Sequence, residues 1–355
     1  MTRVITPELK AAQEASFGTP AIELIFTSKD ELTTHDYSLT TASTNRLKYI
    51  EHWELPSDDF AIIVLRNEDL SIPDLRGYYV DIGYGFDTTD HGGSGLETSA
   101  TARLWVEHQQ YISEPGTLIV VLTLEGVWRR MMRKIIKSVG DAPDFTYKFE
   151  GLTYYKILEF IIEDELGYEL RALGQHDDGI IDTTVPEFEI NKTVFEYAGL
   201  IVERLMNHTK SYLRAEAGLI FRVRYPLVSA SEEETKYGDV ILQYYSDQAF
   251  QFYVYDEKKS VLVPNHIIVY GNQNPDTGDW DNIITAEAED VGTNEQRVTE
   301  IQQAGGLRSQ GELQNLADAI LLRYKAQQTA GRLVIPHDCR LELYDRILIT
   351  NSRGT

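Results

Sequence analysis

The residues best suited to chemistry are 8 histidines set among 56 aspartates and glutamates, and their spacing decides what they can do. In "HDD" (His176, Asp177, Asp178) an imidazole and two carboxylates stand together, a donor set that suits a divalent metal. No second cluster lies at a recognisable ligand spacing, so the motif reads as a solvated loop. His91, in a glycine-rich turn, has the same status. "EHWEL" and "EHQQY" place His52 and His108 beside acids, but neither is a helical HExxH motif, which would put two imidazoles on one face. The pairs in "SDDF", "IEDEL" and "SEEET" are of the type a glycosidase uses, yet a chain this acidic produces such pairs by chance, and the two carboxyls must also face each other across a sugar. There is no G-x-S-x-G nucleophile elbow. The glycines of "GYGFDTTDHGG" lack the spacing and the strand-to-helix setting of a phosphate loop. "NHT" matches a glycosylation acceptor by letters, but it falls in a predicted helix. No catalytic, cofactor-binding or metal-ligating residue is assigned, and the expectation is a protein that is not an enzyme.

Composition narrows the function classes. With 33 basic and 56 acidic side chains the formal charge is -23, which repels nucleic-acid phosphates and excludes a basic DNA-binding groove. The same charge suits a surface past which DNA slides without sticking, and it equally suits solubility. Cys339 is the only cysteine, so an intrachain disulfide and a thiolate metal cluster are both excluded; in a strand-like stretch it reads as a small buried side chain. Residues 1–20 show no signal-peptide pattern, and runs such as "FAIIVL" and "LIVVLTL" are too short to span a bilayer, so no membrane-spanning contact is expected. Tyrosine is abundant, with 21 copies against 12 phenylalanines, which fits a β-rich protein or a wetted assembly surface.

The positioning elements follow from periodicity. Thr6 caps and Pro7 opens a short N-terminal helix. Strands are predicted at "AIELIF", "FAIIVL", "GYYVDIGYG", "ARLWVEH" and "TLIVVLTLEG", separated by turn formers, a pattern read as a small antiparallel barrel or sandwich. "VWRRMMRKIIKSV" changes to helical spacing and carries Arg129, Arg130, Arg133, Lys134 and Lys137, which are expected to salt-bridge acidic neighbours in this chain or another subunit. "TYYKILEFIIEDEL" and "VFEYAGLIVERLMNHTKSYL" are predicted helices, the second capped by Thr193, with "GYEL" a returning strand. Strands resume at "LIFRVRY", where Phe221, Val223 and Tyr225 share one face and Arg222 and Arg224 face solvent or a partner. Ser309 and Glu312 have the spacing of a capping box for a helix that stops near Gly331, and "CRLELYDRILIT" reads as a late strand finishing a sheet begun near residue 219.

The expected fold class is α+β and β-dominated: two small antiparallel β-barrel-like domains with an intervening α/β module. The segments are 1–126 (first barrel-like domain with N-terminal arm), 127–217 (helix-containing module) and 218–355 (second barrel-like domain interrupted by a helix at about 310–330).

"DLRGYYVDIGYGFDTTDHGG", then "WVEHQQYISEPGTLIVVLTLEGVWRRMM", and later "GELQNLADAILLRYKAQQTAG" leading to "LELYDRILIT", together resemble phage tail baseplate hub proteins. Asp345 stands where that family carries an aspartate before an apolar run. The resemblance implies a structural virion protein at the phage tail baseplate or tail tip. It further implies a homotrimer whose paired β units form a pseudo-sixfold ring, with a tail tube or distal tail protein on one side and a spike or fibre protein on the other. DNA would pass through an acidic lumen without specific binding. Many related hubs continue with further strands where this chain ends at Thr355, so either the chain is truncated or those strands come from elsewhere, and closure of the second barrel stays open. In this reading Trp105 and Trp128 are packing anchors, and reversing the charge of Arg222 or Arg224 affects assembly more than folding. The alternatives are a carbohydrate- or surface-binding module with weak glycoside hydrolase activity, and another tail-tip or distal tail component.

Overall fold

Strict alternation of apolar and polar residues builds the first unit. The structure is a computed structural model that describes residues 3, 5–15, 18–40, 45–136, 147–149, 151–174, 180–186, 188–190, 196–225, 242–245, 252–259, 263–273, 280–293, 295–304, 307, 309–345 and 347–350. Helix α1 (Pro7–Glu14) starts with Pro7 in its first turn and the Thr6 hydroxyl accepting from Leu9 N, as predicted. Eight strands follow: β1 (Pro20–Glu23), β2 (Ile25–Thr27), β3 (Thr34–Asp36), β4 (Leu47–Leu55), β5 (Asp58–Arg66), β6 (Tyr79–Asp87), β7 (Leu96–Glu114) and β8 (Thr117–Gly126). They form one antiparallel sheet in the order β3-β2-β6-β7-β8-β5-β4, with β1 also on β6. Along β5 the inward column is Asp59, Ala61, Ile63 and Leu65; the last three pair with Leu124, Leu122 and Val120 of β8 and form the core with Leu24, Phe26, Val80, Ile82 and Leu104.

Helix α2 (Val127–Met131) leaves β8 directly and drops Trp128 and Met131 into a second core. That core is completed by β9 (Tyr147–Phe149), α3 (Tyr154–Glu159, continued by a wider turn to Glu165), β10 (Glu169–Leu170), β11 (Phe188–Ile190), α4 (Ala198–Asn207), β12 (Tyr212–Glu216) and β13 (Ile220–Arg224). Ile157, Leu158, Ile161 and Ile162 face Ile201, Val202 and Leu205 across it.

The C-terminal region contains β14 (Leu242–Tyr245), β15 (Val254–Lys259), β16 (His266–Gln273), β17 (Trp280–Glu289), β18 (Thr299–Ala304), helix α5 (Gln310–Gln328), β19 (Thr329–Val334) and β20 (Ile347–Thr350). Strands 17, 16 and 18 make a three-stranded sheet, antiparallel on one side of β16 and parallel on the other. One face of it, Ile267, Val269, Ala286 and Ala288, packs under Leu313, Leu316, Ala317 and Ile320 of α5. The capping box is present: Glu312 N donates to Ser309 Oγ at 3.2 Å, and Ser309 N donates to Glu312 Oε2 at 3.2 Å.

The structure corrects four expectations. The β-dominated α+β class holds, but among the described residues no sheet closes into a barrel. The path of the first sheet ends at β3 and β4, which do not pair with each other, and the other described sheets have two or three strands. Regular turn spacing announces antiparallel neighbours but does not determine whether the first and last strands meet. The strand read at "LIFRVRY" does not begin a C-terminal sheet: β13 pairs with β12 and β10, while β20 pairs in parallel with β14. "CRLELYDRILIT" is extended only over its last residues. Asp338, Arg340, Glu342 and Asp345 turn the preceding stretch inward through side-chain-to-backbone bonds, with Tyr344 at φ 68°. Helix α2 is one turn and a half, and α4 ends at Asn207, well before the predicted end. The region of Thr193 lies outside the described residues, as does Lys137.

Candidate functional site

Among the described residues, a dense concentration of buried charge lies where the three regions meet. In the β12–β13 pair Arg214 stands directly opposite Arg222, an arrangement that costs energy unless carboxylates intervene. Glu216 does so: it accepts from Arg214 at 2.9 Å and ion-pairs with Arg222 at 2.9 Å and Arg171 at 3.1 Å. Arg214 also reaches Glu342 at 3.0 Å and Asp345 at 2.9 Å, both from the C-terminal segment, and its side chain is 1% exposed. Glu342 passes the chain of charge to Arg3 at 3.5 Å, and Arg3 to Glu54 of β4 at 3.0 Å. One connected network thus joins the N-terminal arm, the first sheet, the middle core and the C-terminal segment. Burial works against the Arg214 charge, but Glu342, Asp345 and Glu216 outweigh it and hold its pKa above the ordinary value. Burial likewise opposes the Glu216 charge, and the bond from Arg214 with the charges of Arg222 and Arg171 still holds that carboxyl below its usual range.

Around this network the C-terminal segment makes further ties. Cys339 N donates to Gln13 Oε1 at 2.9 Å, Tyr244 Oη donates to Asp338 at 2.9 Å, and Arg3 N donates to Arg340 O at 3.1 Å. The Tyr344 ring stacks on Tyr212 at 4.6 Å, and His337 lies 4.4 Å from Tyr84.

A second ionic cluster surrounds α2. Arg129 binds Asp58 at 2.7 Å and Glu125 at 3.4 Å; Arg133 binds Glu125 at 2.5 Å and Glu107 at 3.5 Å; Arg130 binds Glu107 at 3.3 Å. The guanidinium of Arg130 also lies 4.1 Å over the Trp105 ring. The basic helix therefore finds its acidic neighbours within this chain. Beside the cluster, Asp59 is 5% exposed, and burial, with Glu54 and Asp58 alongside, pushes its carboxyl up to about 7.

The residues singled out from sequence fall as follows. Trp105 and Trp128 are buried packing anchors, Trp128 meeting Phe221 edge-on at 5.9 Å. Cys339 is buried. Arg224 is 2% exposed and lies 3.8 Å from Asp345 of the C-terminal segment, and Arg222 turns to Glu216 of β12 at 2.9 Å, so both meet carboxylates of this chain rather than the solvent or partner expected. Asp345 is a partner of Arg214 and Arg224. His52 is held by Tyr84 Oη at 3.3 Å, His91 ends a short 3-10 turn, and His108 is exposed. Gly85 is a close-approach residue: a Cβ there would run into the Glu97 backbone of β7. The "HDD" motif lies outside the described residues. Among the described residues no group of three or more His, Cys, Asp or Glu side chains is placed to hold a metal ion, and no helix is long and apolar enough to cross a membrane. Arg214, Glu216, Glu342 and Arg3 were missed by sequence reasoning, because "SYLRAE" reads as the tail of a helix and the partners of Arg214 are distant in the chain.

Two solved structures share this arrangement of elements. A tail protein from Neisseria meningitidis MC58 matches with a TM-score of 0.62 at 9% identity, over 94% of this chain and 87% of that one. The 43 kDa tail protein of prophage MuSo2 from Shewanella oneidensis matches with a TM-score of 0.56 at 10% identity, over 93% of this chain and 89% of that one. The fold is one shared with tail proteins. At these identities the likeness lies in the backbone path, and the ionic network described above is a property of this chain's own side chains. No protein-family model matches the chain. No curated protein matches it in sequence.

Proposed function

We propose that this chain is a structural component of a phage tail, and that within the tail it is the baseplate hub, a homotrimer joining the tail tube to a central spike or fibre. The observation that carries the tail assignment is the fold likeness to the Neisseria tail protein, which extends over 94% of this chain. The finer assignment is supported by the resemblance of "DLRGYYVDIGYGFDTTDHGG" and "LELYDRILIT" to hub proteins. The role asks for two similar β units per copy, six to a ring of three chains. A formal charge of -23 suits a lumen through which DNA moves without adhering. The role is architectural rather than catalytic: the largest ionic assemblies join elements of the fold to one another, and Trp105 and Trp128 are packed away rather than displayed for a sugar.

The test is the stoichiometry of the chain in solution and in assembled particles, by native mass spectrometry and electron microscopy. A threefold assembly at the tube–spike junction is the expected result. Six copies per ring, or a position elsewhere on the tail, would overturn the hub assignment and leave the tail assignment standing. Absence from the tail, with binding to an oligosaccharide, would overturn both.

A further inference from the structure

Asp59 occupies the inward column of β5, which Ala61, Ile63 and Leu65 continue into the core. Its neighbour across one side is Glu54 of β4, placed opposite it by the strand register. On its other side is Gly126, the last residue of β8 and the residue from which α2 departs. A Cβ on Gly126 would collide with the carboxyl carbon and both carboxyl oxygens of Asp59, so the acid lies flat over the glycine backbone and only glycine leaves it room. Oδ1 of Asp59 is buried and meets no hydrogen-bond donor among the described residues. Arg129 is engaged by the adjacent Asp58, and Arg3 by Glu54. A buried carboxylate without its own donor is costly, and a buried carboxylic acid much less so.

We propose that Asp59 is a proton-operated joint between the first sheet and helix α2: with its proton it rests against Gly126, and without it the helix loosens on its seat. The charged groups that act on it are Glu54 from β4, Asp58 at the start of β5 and Arg129 from α2. Two of these three are acids, so the lost proton meets like charge. His52 and His337 lie under the influence of the same Glu54, and burial lowers the pKa of both. The folded state holds the Asp59 proton up to about 7, against roughly 3.9 in an unfolded chain, so the stabilisation is complete below the unfolded value and is lost as pH rises through 7. What loosens is the turn that carries Trp128 and Met131 into the middle core.

The test is amide hydrogen exchange of residues 127–131 between pH 5 and 9, corrected for the intrinsic pH dependence of exchange. Wild-type protection should fall by up to about tenfold per pH unit as pH rises toward 7 and level off above it. Asp59→Asn, which cannot ionise, should remove the pH dependence. Glu54→Gln removes a neighbouring negative charge and should move the levelling-off point to lower pH, and this arm remains informative if the Asn variant fails to fold. A wild-type profile that is flat, an Asn variant that keeps the slope, or a Gln variant with an unmoved levelling-off point would each overturn the proposal. A slope retained without Asp59 would transfer the titration to the histidines.

Discussion

Arg214 and Asp345 are 131 residues apart in the chain and 2.9 Å apart in the structure. Their side chains are 1% and 2% exposed, so both charges left water on folding and did so against each other. A pair of this kind need not add net stability over an apolar pair of the same shape. It makes any other docking of residues 338–345 expensive, because another docking strands an arginine inside the protein.

Breaking the pair is therefore predicted to cost more than the pair contributes. Asp345→Asn should lower stability by about 3 kcal/mol, toward the low end for a broken buried ion pair because Glu216 and Glu342 still face Arg214. Denaturant unfolding measures it. Arg224→Glu should lower the melting temperature as well, in contrast to the sequence-based expectation that its main effect falls on assembly. An unaltered melting temperature with a changed oligomer mass would restore that expectation.

His208 follows α4 and stacks near Tyr154 at 6.0 Å. Burial, with Arg204 and Arg323 nearby, lowers its pKa to about 4. The sign follows from the neutral folded form. The stabilising contribution is complete above the unfolded value of about 6.5 and is lost as pH falls toward 4, by up to about 3 kcal/mol. His208→Gln should flatten stability between pH 6.5 and 4, read from chemical denaturation at a series of pH values.

Ser309 and Glu312 close the N-terminus of α5, the only helix on the three-stranded sheet among the described residues. Ser309→Ala should destabilise by about 1 kcal/mol. The loss should appear as faster hydrogen exchange in the first turn of α5, with exchange in the first sheet unchanged. Loss in both places would mean that the C-terminal region unfolds only together with the rest.

Local signals were legible where local physics decides. The Thr6 cap, the strands at 58–66 and 117–126, the helical stripe of α3 and the capping box of α5 were all readable, because each depends on residues within one or two turns of each other. Strand β4 was not. Its "LKYIEHWEL" carries charge on an edge, where one side of the backbone faces no partner in the sheet and the apolar alternation weakens. The basic turn of α2 was correctly assigned acidic partners, but the sequence left open whether they belonged to this chain.

"LELYDRILIT" marks the boundary between the two kinds of information. Its alternation has the period of a strand, and Ile347–Thr350 adopts one, in parallel with Leu242–Tyr245. The residues before it share the same period and do not, because Glu342 and Asp345 have Arg3, Arg214 and Arg224 to neutralise. The sequence by itself determined the acidic balance, the β-rich elements and their caps, since those follow from composition and short-range spacing. The tertiary structure decided that the first sheet stays open, which strands pair, and that the late segment fastens three regions together, since those depend on contacts between residues well beyond the reach of one element, to which a periodic pattern is blind.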